Sequence, residues 1–135
     1  MGGRGGGGAL TSVERLQYAA GSWAATGSLN SVRRHHGQTV LSNGMVLASG
    51  GWDGSVLGSA ELYDPTFGRW SLMASMAVPR YVHTATLLAT GKALVAGGYT
   101  TGALTTETVE LFDPLTCAWA LVGSLNIARR EHTAT

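Results

Sequence analysis

One segment occurs three times in this chain with nearly the same spacing. Residues 60–70 read AELYDPTFGRW, residues 109–119 read VELFDPLTCAW, and residues 13–23 read VERLQYAAGSW. The tryptophans that end these segments lie 47 and then 49 residues apart. Such a period indicates a repeat architecture, in which one unit cannot bury its apolar face alone and must pack on a neighbour.

Other residues recur with the same period. An arginine follows each of these tryptophans by ten residues, and a histidine follows each arginine by three: Arg33, Arg80 and Arg129, then His36, His83 and His132. Two glycine pairs, Gly50-Gly51 and Gly97-Gly98, each close an apolar run and open a loop of variable length. Because several residue types recur in the same order, the similarity between the segments is not due to chance.

Each unit contains four apolar runs of four to seven residues, too short for helices and without a sustained 3.6-residue period. Asn43-Gly44 suits a tight hairpin because both residue types tolerate positive φ. Asp64-Pro65 suits a turn, since the carboxylate can accept a nearby backbone N–H while proline presets φ. Four antiparallel strands in about 47 residues are typical of one β-propeller blade.

The repeat resembles the kelch repeat, in which an arginine, a glycine pair, a Glu-x-aromatic segment and a tryptophan occur in this order. The resemblance covers residues 13–135, and its first copy lacks the Asp-Pro turn. It implies an all-β chain of four-stranded antiparallel kelch blades, forming an incomplete β-propeller with about two whole blades plus flanking strands. The structural repeat marks are Gly50, Gly51, Glu61, Tyr63, Trp70, Gly97, Gly98, Glu110, Phe112, Trp119, Arg80 and His83.

The period divides the chain into a Gly-rich flexible tail at residues 1–12 and a propeller segment at residues 13–135. Within the segment we expect a partial blade at 13–32, whole blades at 33–79 and 80–128, and the first strand of another blade at 129–135. A closed propeller needs at least four blades. The chain therefore belongs to a longer protein, assembles with other copies of itself, or stands as an open arc.

Charge excludes two classes of partner. The formal net charge is +1 and charged residues make up 13% of the chain, without a basic stripe or an acidic run. Nucleic-acid or membrane-surface binding therefore gains no electrostatic support. No apolar stretch is long enough to span a bilayer.

The recurring polar residues favour structural roles. A recurring arginine and glutamate in a sheet-rich core predict a hydrogen-bonded pair, because a lone buried charge is costly; contact with an acidic ligand is the alternative. Each repeated histidine is expected to bond a neighbouring backbone group, with metal binding as the alternative. His35 lies outside the series and is expected to be exposed.

The aromatic residues fall into two groups. Those that recur in place, Tyr63, Phe112, Trp70 and Trp119, predict a core between blades. Trp52 and Tyr99 instead follow the glycine pairs and open the variable loops, so they either pack locally or anchor a partner.

The sequence predicts a non-enzymatic module that presents loops 52–59 and 99–106, together with linkers such as 75–80, to another protein. The residues predicted to contact a partner are Trp52, Asp53, Tyr99, Thr100, Thr101, Arg34 and Arg130. No catalytic set, metal site or cofactor is predicted. The alternative is the propeller portion of a larger enzyme, such as a galactose-oxidase-like copper oxidase, with its catalytic residues outside this chain.

Overall fold

The computed structural model describes residues 3–6 and 8–135, and this part of the chain is built from antiparallel β-strands. Two 3-10 turns, Tyr18–Ala20 and Thr101–Ala103, are its only helical elements. The strands are β1 (Gly3–Gly5), β2 (Gly8–Leu10), β3 (Val13–Gln17), β4 (Ser22–Thr26), β5 (Gly37–Val40), β6 (Val46–Ser49), β7 (Ala60–Asp64), β8 (Arg69–Met73), β9 (Thr84–Leu87), β10 (Ala93–Ala96), β11 (Thr108–Asp113) and β12 (Ala118–Ser124).

Two four-stranded sheets confirm the predicted blades. The first blade has the order β5-β6-β7-β8, and the second has the order β9-β10-β11-β12. All neighbouring strands are antiparallel and consecutive in the chain. The all-β, incomplete-propeller fold predicted from the repeat is therefore correct.

The predicted turn chemistry is present in both blades. Asp64 Oδ1 accepts the Thr66 N–H at 2.8 Å, and Asp113 Oδ1 accepts the Leu115 N–H at 2.9 Å. Asn43 Oδ1 accepts the Met45 N–H at 3.1 Å across the hairpin glycine. These local bonds explain why the chain reverses at those residues.

The two ends of the chain differ from the simple division by period. The half-blade (residues 13–32) contains the two-stranded sheet β3-β4. The predicted flexible tail, residues 1–12, includes a short hairpin of β1 and β2, while residues 1, 2 and 7 lie outside the described part. Residues 129–135, predicted as a first strand, contain no strand.

Successive units pack face to face. We call the face of a unit that packs on the preceding unit its leading face, and the opposite one its trailing face. Between the two blades, Leu47 and Ala60 from the first pack with Ala93 and Phe112 from the second, and all four are fully buried. Apolar burial between sheets is the main stabilising term of this seam.

The glycine pairs allow the seams to close. Gly51 N donates to Arg80 O at 2.9 Å, so the backbone of one blade bonds directly to the next. Gly50 and Gly51 have φ values of +58° and +109°, and a Cβ on Gly50 would overlap the Arg80 carbonyl. Only glycine fits both requirements at the seam.

The three repeated tryptophans are not equally buried. Trp70 is 7% exposed and packs with Val13 and Leu29 of the half-blade, as predicted for a core residue. Trp119 is only partly buried, although its Nε1 donates to the Ala74 carbonyl at 2.8 Å. Trp23 is 67% exposed, because within the described residues no unit covers the leading face of the half-blade. Burial of the indole therefore requires a preceding unit.

In the part of the chain that the structure describes, no helix is long and apolar enough to cross a membrane.

Candidate partner-binding surface

The loop 52–59 and the linker 75–80 between the blades lie side by side. Met76 N donates to Gly58 O at 2.9 Å, and Arg80 N donates to Leu57 O at 3.1 Å. The linker 75–80 is therefore bonded along the loop 52–59 that joins β6 and β7. We call this side of the molecule the loop face.

Backbone pairing fixes the first residue of each loop. Trp52 forms two bonds with Arg34, at 2.9 and 3.1 Å, and Tyr99 forms two with Tyr81, at 2.8 and 2.9 Å. In each blade the residue after the repeated arginine is thus paired with the residue after the glycine pair. The two aromatic residues are consequently held by main-chain bonds rather than by loop conformation.

Their side chains join into one row that crosses the seam. The Trp52 and Tyr81 ring centroids are 5.4 Å apart, and those of Tyr81 and Tyr99 are 5.1 Å apart. The Arg130 guanidinium carbon lies 4.4 Å from the Tyr99 ring centre, and this side chain also donates to the Tyr99 hydroxyl. We call Trp52, Tyr81, Tyr99 and Arg130 the stacked row.

Sequence reasoning missed Tyr81, the central ring of the row. A signal was present, because Tyr81 follows Arg80 just as Arg34 follows Arg33 and Arg130 follows Arg129. The three equivalent positions share a place in the repeat and differ in residue type. Variation at a fixed place in the frame marks the same kind of surface as variation in the loops.

The other predicted contact residues lie beside the row. Arg34, Trp52 and Asp53 line a shallow cavity of about 170 Å³ together with Gly8 and Gly54. Asp53 Oδ1 accepts the Ser55 N–H at 2.9 Å, which shapes the loop tip. Thr100 and Thr101 belong to the loop after Tyr99, where Thr100 N donates to Leu104 O at 2.8 Å. These two threonines do not contribute rings or charges to the row.

The predicted arginine–glutamate pairs lie beneath this surface. Arg33 Nη2 is 2.7 Å from Glu61 Oε1, and Arg80 Nη2 is 2.9 Å from Glu110 Oε1. All four side chains are fully buried. In both pairs Nη1 donates to backbone carbonyls of the same blade, as Arg80 Nη1 does to Thr108 O at 2.8 Å, and Nη2 also donates to a hydroxyl, of Ser59 or Thr108. The pairs therefore anchor the residues that carry the row.

Charge is balanced within each pair. Burial opposes ionisation of Glu61, but hydrogen bonds from Asn30 and Arg33 outweigh it and lower the pKa of this carboxyl. Burial lowers the pKa of Arg80, and the partner Glu110 counteracts this shift. Arg129 and Glu14, the end members of the two series, are both exposed and make no ion pair within the described residues.

Two of the repeated histidines, His83 and His132, bond side chains rather than the predicted backbone group, whereas His36 has a backbone hydrogen bond with Arg33. His83 Nε2 is 3.0 Å from Ser49 Oγ, and His132 Nε2 is 3.2 Å from Thr84 Oγ1. The hydroxyl comes from the second strand in one case and from the first strand in the other. The first and second strands of a blade can each supply this hydroxyl, because the two positions are cross-strand partners. Ser49 pairs with Gly37 in the first blade, and Thr84 pairs with Ala96 at the equivalent place in the second.

The histidines are held in the neutral form. Burial, with the charge of Arg80, lowers the pKa of His83 to about 3, and burial with Arg33 lowers that of His36 to about 4. The Nδ1 atom of His83 is buried and has no hydrogen-bond partner among the described residues. A second ring proton would therefore be placed where nothing accepts it. His35 is exposed, as predicted.

Three residues near the row have a left-handed backbone. His35, Val82 and Glu131 occupy equivalent places in successive units and have φ values of +54°, +55° and +50°. Val82 N donates to His35 O at 2.9 Å, and Glu131 N donates to Val82 O at 3.3 Å. The left-handed conformation thus aligns one backbone amide of each unit with a backbone carbonyl of the unit before it. This conformation is energetically costly for a β-branched residue such as Val82.

Across residues 3–6 and 8–135, no three His, Cys, Asp or Glu side chains lie close enough together to hold a metal ion. The single cysteine, Cys117, is free and exposed.

Comparison with known families identifies one motif. Residues 33–77 match the family model described as the Kelch motif. This range covers the first blade almost completely, including Arg33, the glycine pair, Glu61 and Trp70. No curated protein matches the chain.

Proposed function

Since the chain contains a kelch repeat, we propose that it is a non-enzymatic protein-interaction module whose stacked row and flanking loops bind a protein partner. The observation that carries the proposal is the row itself. Three aromatic rings and a guanidinium, each within 5.4 Å of the next, cross both blades on the loop face.

The residue types suit a binding surface. Tryptophan, tyrosine and arginine are the side chains that most often dominate the energy of protein interfaces. Trp52 and Tyr99 are half-buried, so part of each ring is available while its backbone is fixed in the sheet. Rigid aromatic anchors lose little conformational entropy on binding, which leaves more of the contact energy for affinity.

The surroundings of the row favour a protein partner over a polyanion. Arg34 and Arg130 are accompanied by Asp53 and Glu131 on the same side of the molecule, so both signs of charge occur. A nucleic-acid surface would need a predominance of basic residues. A mixed rim around aromatic anchors is typical of protein interfaces.

The experiment compares capture of cellular proteins by the wild-type chain and by Tyr81→Ala, Trp52→Ala and Arg130→Ala. The control variants are Phe67→Ala and Leu115→Ala, which remove apolar side chains that are 68% and 93% exposed on the outer turns. We expect a partner that the control variants retain and the row variants lose. With that partner purified, each row variant should weaken Kd by roughly 30-fold, the change produced by an interface hot spot of about 2 kcal/mol.

Equal capture by row and control variants would contradict the proposal. Copper-dependent substrate oxidation by a longer protein containing this chain would favour the oxidase alternative instead. Circular dichroism of each variant separates loss of binding from loss of fold.

A further inference from the structure

The seam between the half-blade and the first blade and the seam between the two blades contain the same set of hydrogen bonds. Glu61 accepts the backbone amides of Asn30 and Ser31, at 2.7 and 3.1 Å, from the linker of the half-blade. Glu110 accepts the amides of Ala77 and Val78, at 2.8 and 3.1 Å, from the linker of the first blade. A carboxylate on the leading face of one unit thus takes two amides from the linker of the unit before it.

The apolar part of the seam is equally regular. On the trailing face of the first blade, Leu47 is fully buried, while Leu62 and Met73 pack against the same cluster. They meet Phe112 and Trp119 on the leading face of the second blade. The pair of cross-strand aromatics on the leading face fills the space between leucines on the trailing face.

Among the residues that the structure describes, no unit packs on the trailing face of the second blade. The residues of the second blade that correspond to Leu47, Leu62 and Met73 are Leu94, Leu111 and Val122. Leu94 and Leu111 are partly exposed, and Val122 is 39% exposed. The linker beside this face includes Asn126 and Ile127, both exposed, at the places of Ala77 and Val78.

The leading face of the half-blade is likewise without a covering unit in the described part of the chain. In the half-blade, Leu16 and Trp23 are cross-strand partners, as Tyr63 and Trp70 are in the first blade. Leu16 is 45% exposed and Trp23 is 67% exposed. Glu14, at the place of Glu61 and Glu110, lies on the same strand and is exposed.

We propose that a second copy of this chain docks head to tail, with the leading face of its half-blade on the trailing face of the second blade. Trp23 of one copy then packs on Leu111 and Val122 of the other, and Glu14 accepts the amides of Asn126 and Ile127. The two faces are complementary because they occupy, in the repeat, the places of the two sides of the seam between the blades; the half-blade supplies this face with the two strands β3 and β4. Since the contact joins unlike faces, the pair of copies retains one free leading face and one free trailing face, so assembly can continue.

Residues 129–135 lie where they would extend such an assembly. Gly98 N donates to Arg129 O at 2.8 Å, in the way that Gly51 N donates to Arg80 O between the blades. His132 is bonded to Thr84 at 3.2 Å. The segment therefore already rests on the trailing side of the second blade as the beginning of a further unit, beside the place of the incoming half-blade.

The test is the mass of the purified full chain as a function of concentration, measured by sedimentation or light scattering. We expect the wild-type chain to associate reversibly. Trp23→Lys and Leu111→Lys should each shift the concentration of half-association upward by at least about 30-fold, since each places a charge in the apolar contact. Leu115→Lys, on an outer turn where the side chain is 93% exposed, should leave association unchanged.

Mixing Trp23→Lys with Leu111→Lys, the two variants in which one face is blocked, distinguishes a specific contact from non-specific association. Trp23→Lys retains a competent trailing face, and Leu111→Lys retains a competent leading face. The mixture should form a one-to-one dimer that grows no further, while each variant alone stays monomeric. Glu14→Gln should weaken association more than Asp53→Asn, a control that changes an exposed carboxylate in a loop of the first blade.

A wild-type chain that remains monomeric up to its solubility limit would overturn the proposal. So would a folded mixture of the blocked variants that forms no dimer, or association that Leu115→Lys disrupts as strongly as Leu111→Lys. Circular dichroism confirms that each variant is folded before its mass is interpreted.

Discussion

Arg80 and Glu110 form a fully buried ion pair, 2.9 Å between Nη2 and Oε1, at the seam where the second blade meets the first. Glu110 also accepts the amides of Ala77 and Val78 from the preceding linker. The Glu110 carboxylate therefore connects strand β11 both to Arg80 and to the linker of the neighbouring blade. The pair orders the chain next to Tyr81, which is the residue that follows Arg80 and the centre of the stacked row.

Removal of this carboxylate should be severely destabilising. We expect Glu110→Ala to lower the free energy of unfolding by about 3–5 kcal/mol, because it leaves Arg80 charged and buried without its partner. Urea unfolding followed by circular dichroism measures the loss. The exposed pair of Lys92 and Asp113, 3.0 Å apart, is the control, and Lys92→Ala should change stability little. Equal losses in the two variants would show that burial of the pair does not matter.

The repeated tryptophans should differ in their contribution to stability. Trp70→Ala should cost about 3–5 kcal/mol, since the indole is 93% buried in the seam with the half-blade. Trp119→Ala should cost less, because that ring is only partly buried. Trp23→Ala should cost about 1 kcal/mol or less when measured on the monomer at low concentration. Equal costs at all three positions would mean that the seams do not set the burial of the rings.

Stability should fall on mild acidification. The pKa of His83 is lowered from 6.5 to about 3 in the fold, so the unfolded chain binds the extra proton between these values. The free energy of unfolding is therefore highest above pH 6.5 and decreases as the pH falls from there toward 3. His36, with a pKa of about 4, adds to the same trend.

Urea titrations at a series of pH values check this dependence. His83→Gln keeps a polar side chain beside Ser49 but cannot titrate, so the slope of stability against pH between 6.5 and 4.5 should become smaller. An unchanged slope in this variant would assign the acid sensitivity to other groups.

The backbone at Val82 offers a stabilising substitution. Its φ of +55° is unfavourable for a β-branched residue, whereas asparagine tolerates the left-handed region. We expect Val82→Asn to raise the free energy of unfolding by about 0.5–1 kcal/mol. The matched control is Val40→Asn, at an exposed position in strand β5, which should be neutral or destabilising. A destabilising effect at Val82 would show that its side chain packs more favourably than its backbone is strained.

The strands, the two blades and the buried pairs could be predicted from the residues alone. Arg33, Glu61 and their counterparts recur at fixed spacing, and a charge in a sheet core must find an opposite charge, so their pairing could be inferred without coordinates. The Asp64 and Asp113 turns follow from local chemistry alone. These features depend on neighbours within one unit or on a rule that every unit obeys.

The arrangement of side chains between units could not be predicted in this way, because it depends on how the units stack. The row through Tyr81 exists because the seam brings residues from two blades side by side, and neither blade contains it alone. Trp23, Trp70 and Trp119 carry the same sequence mark, yet one is exposed, one buried and one between, since burial depends on the unit that packs against each ring. A repeat specifies what each face can bind, and the stacking of units determines which faces remain free to do so.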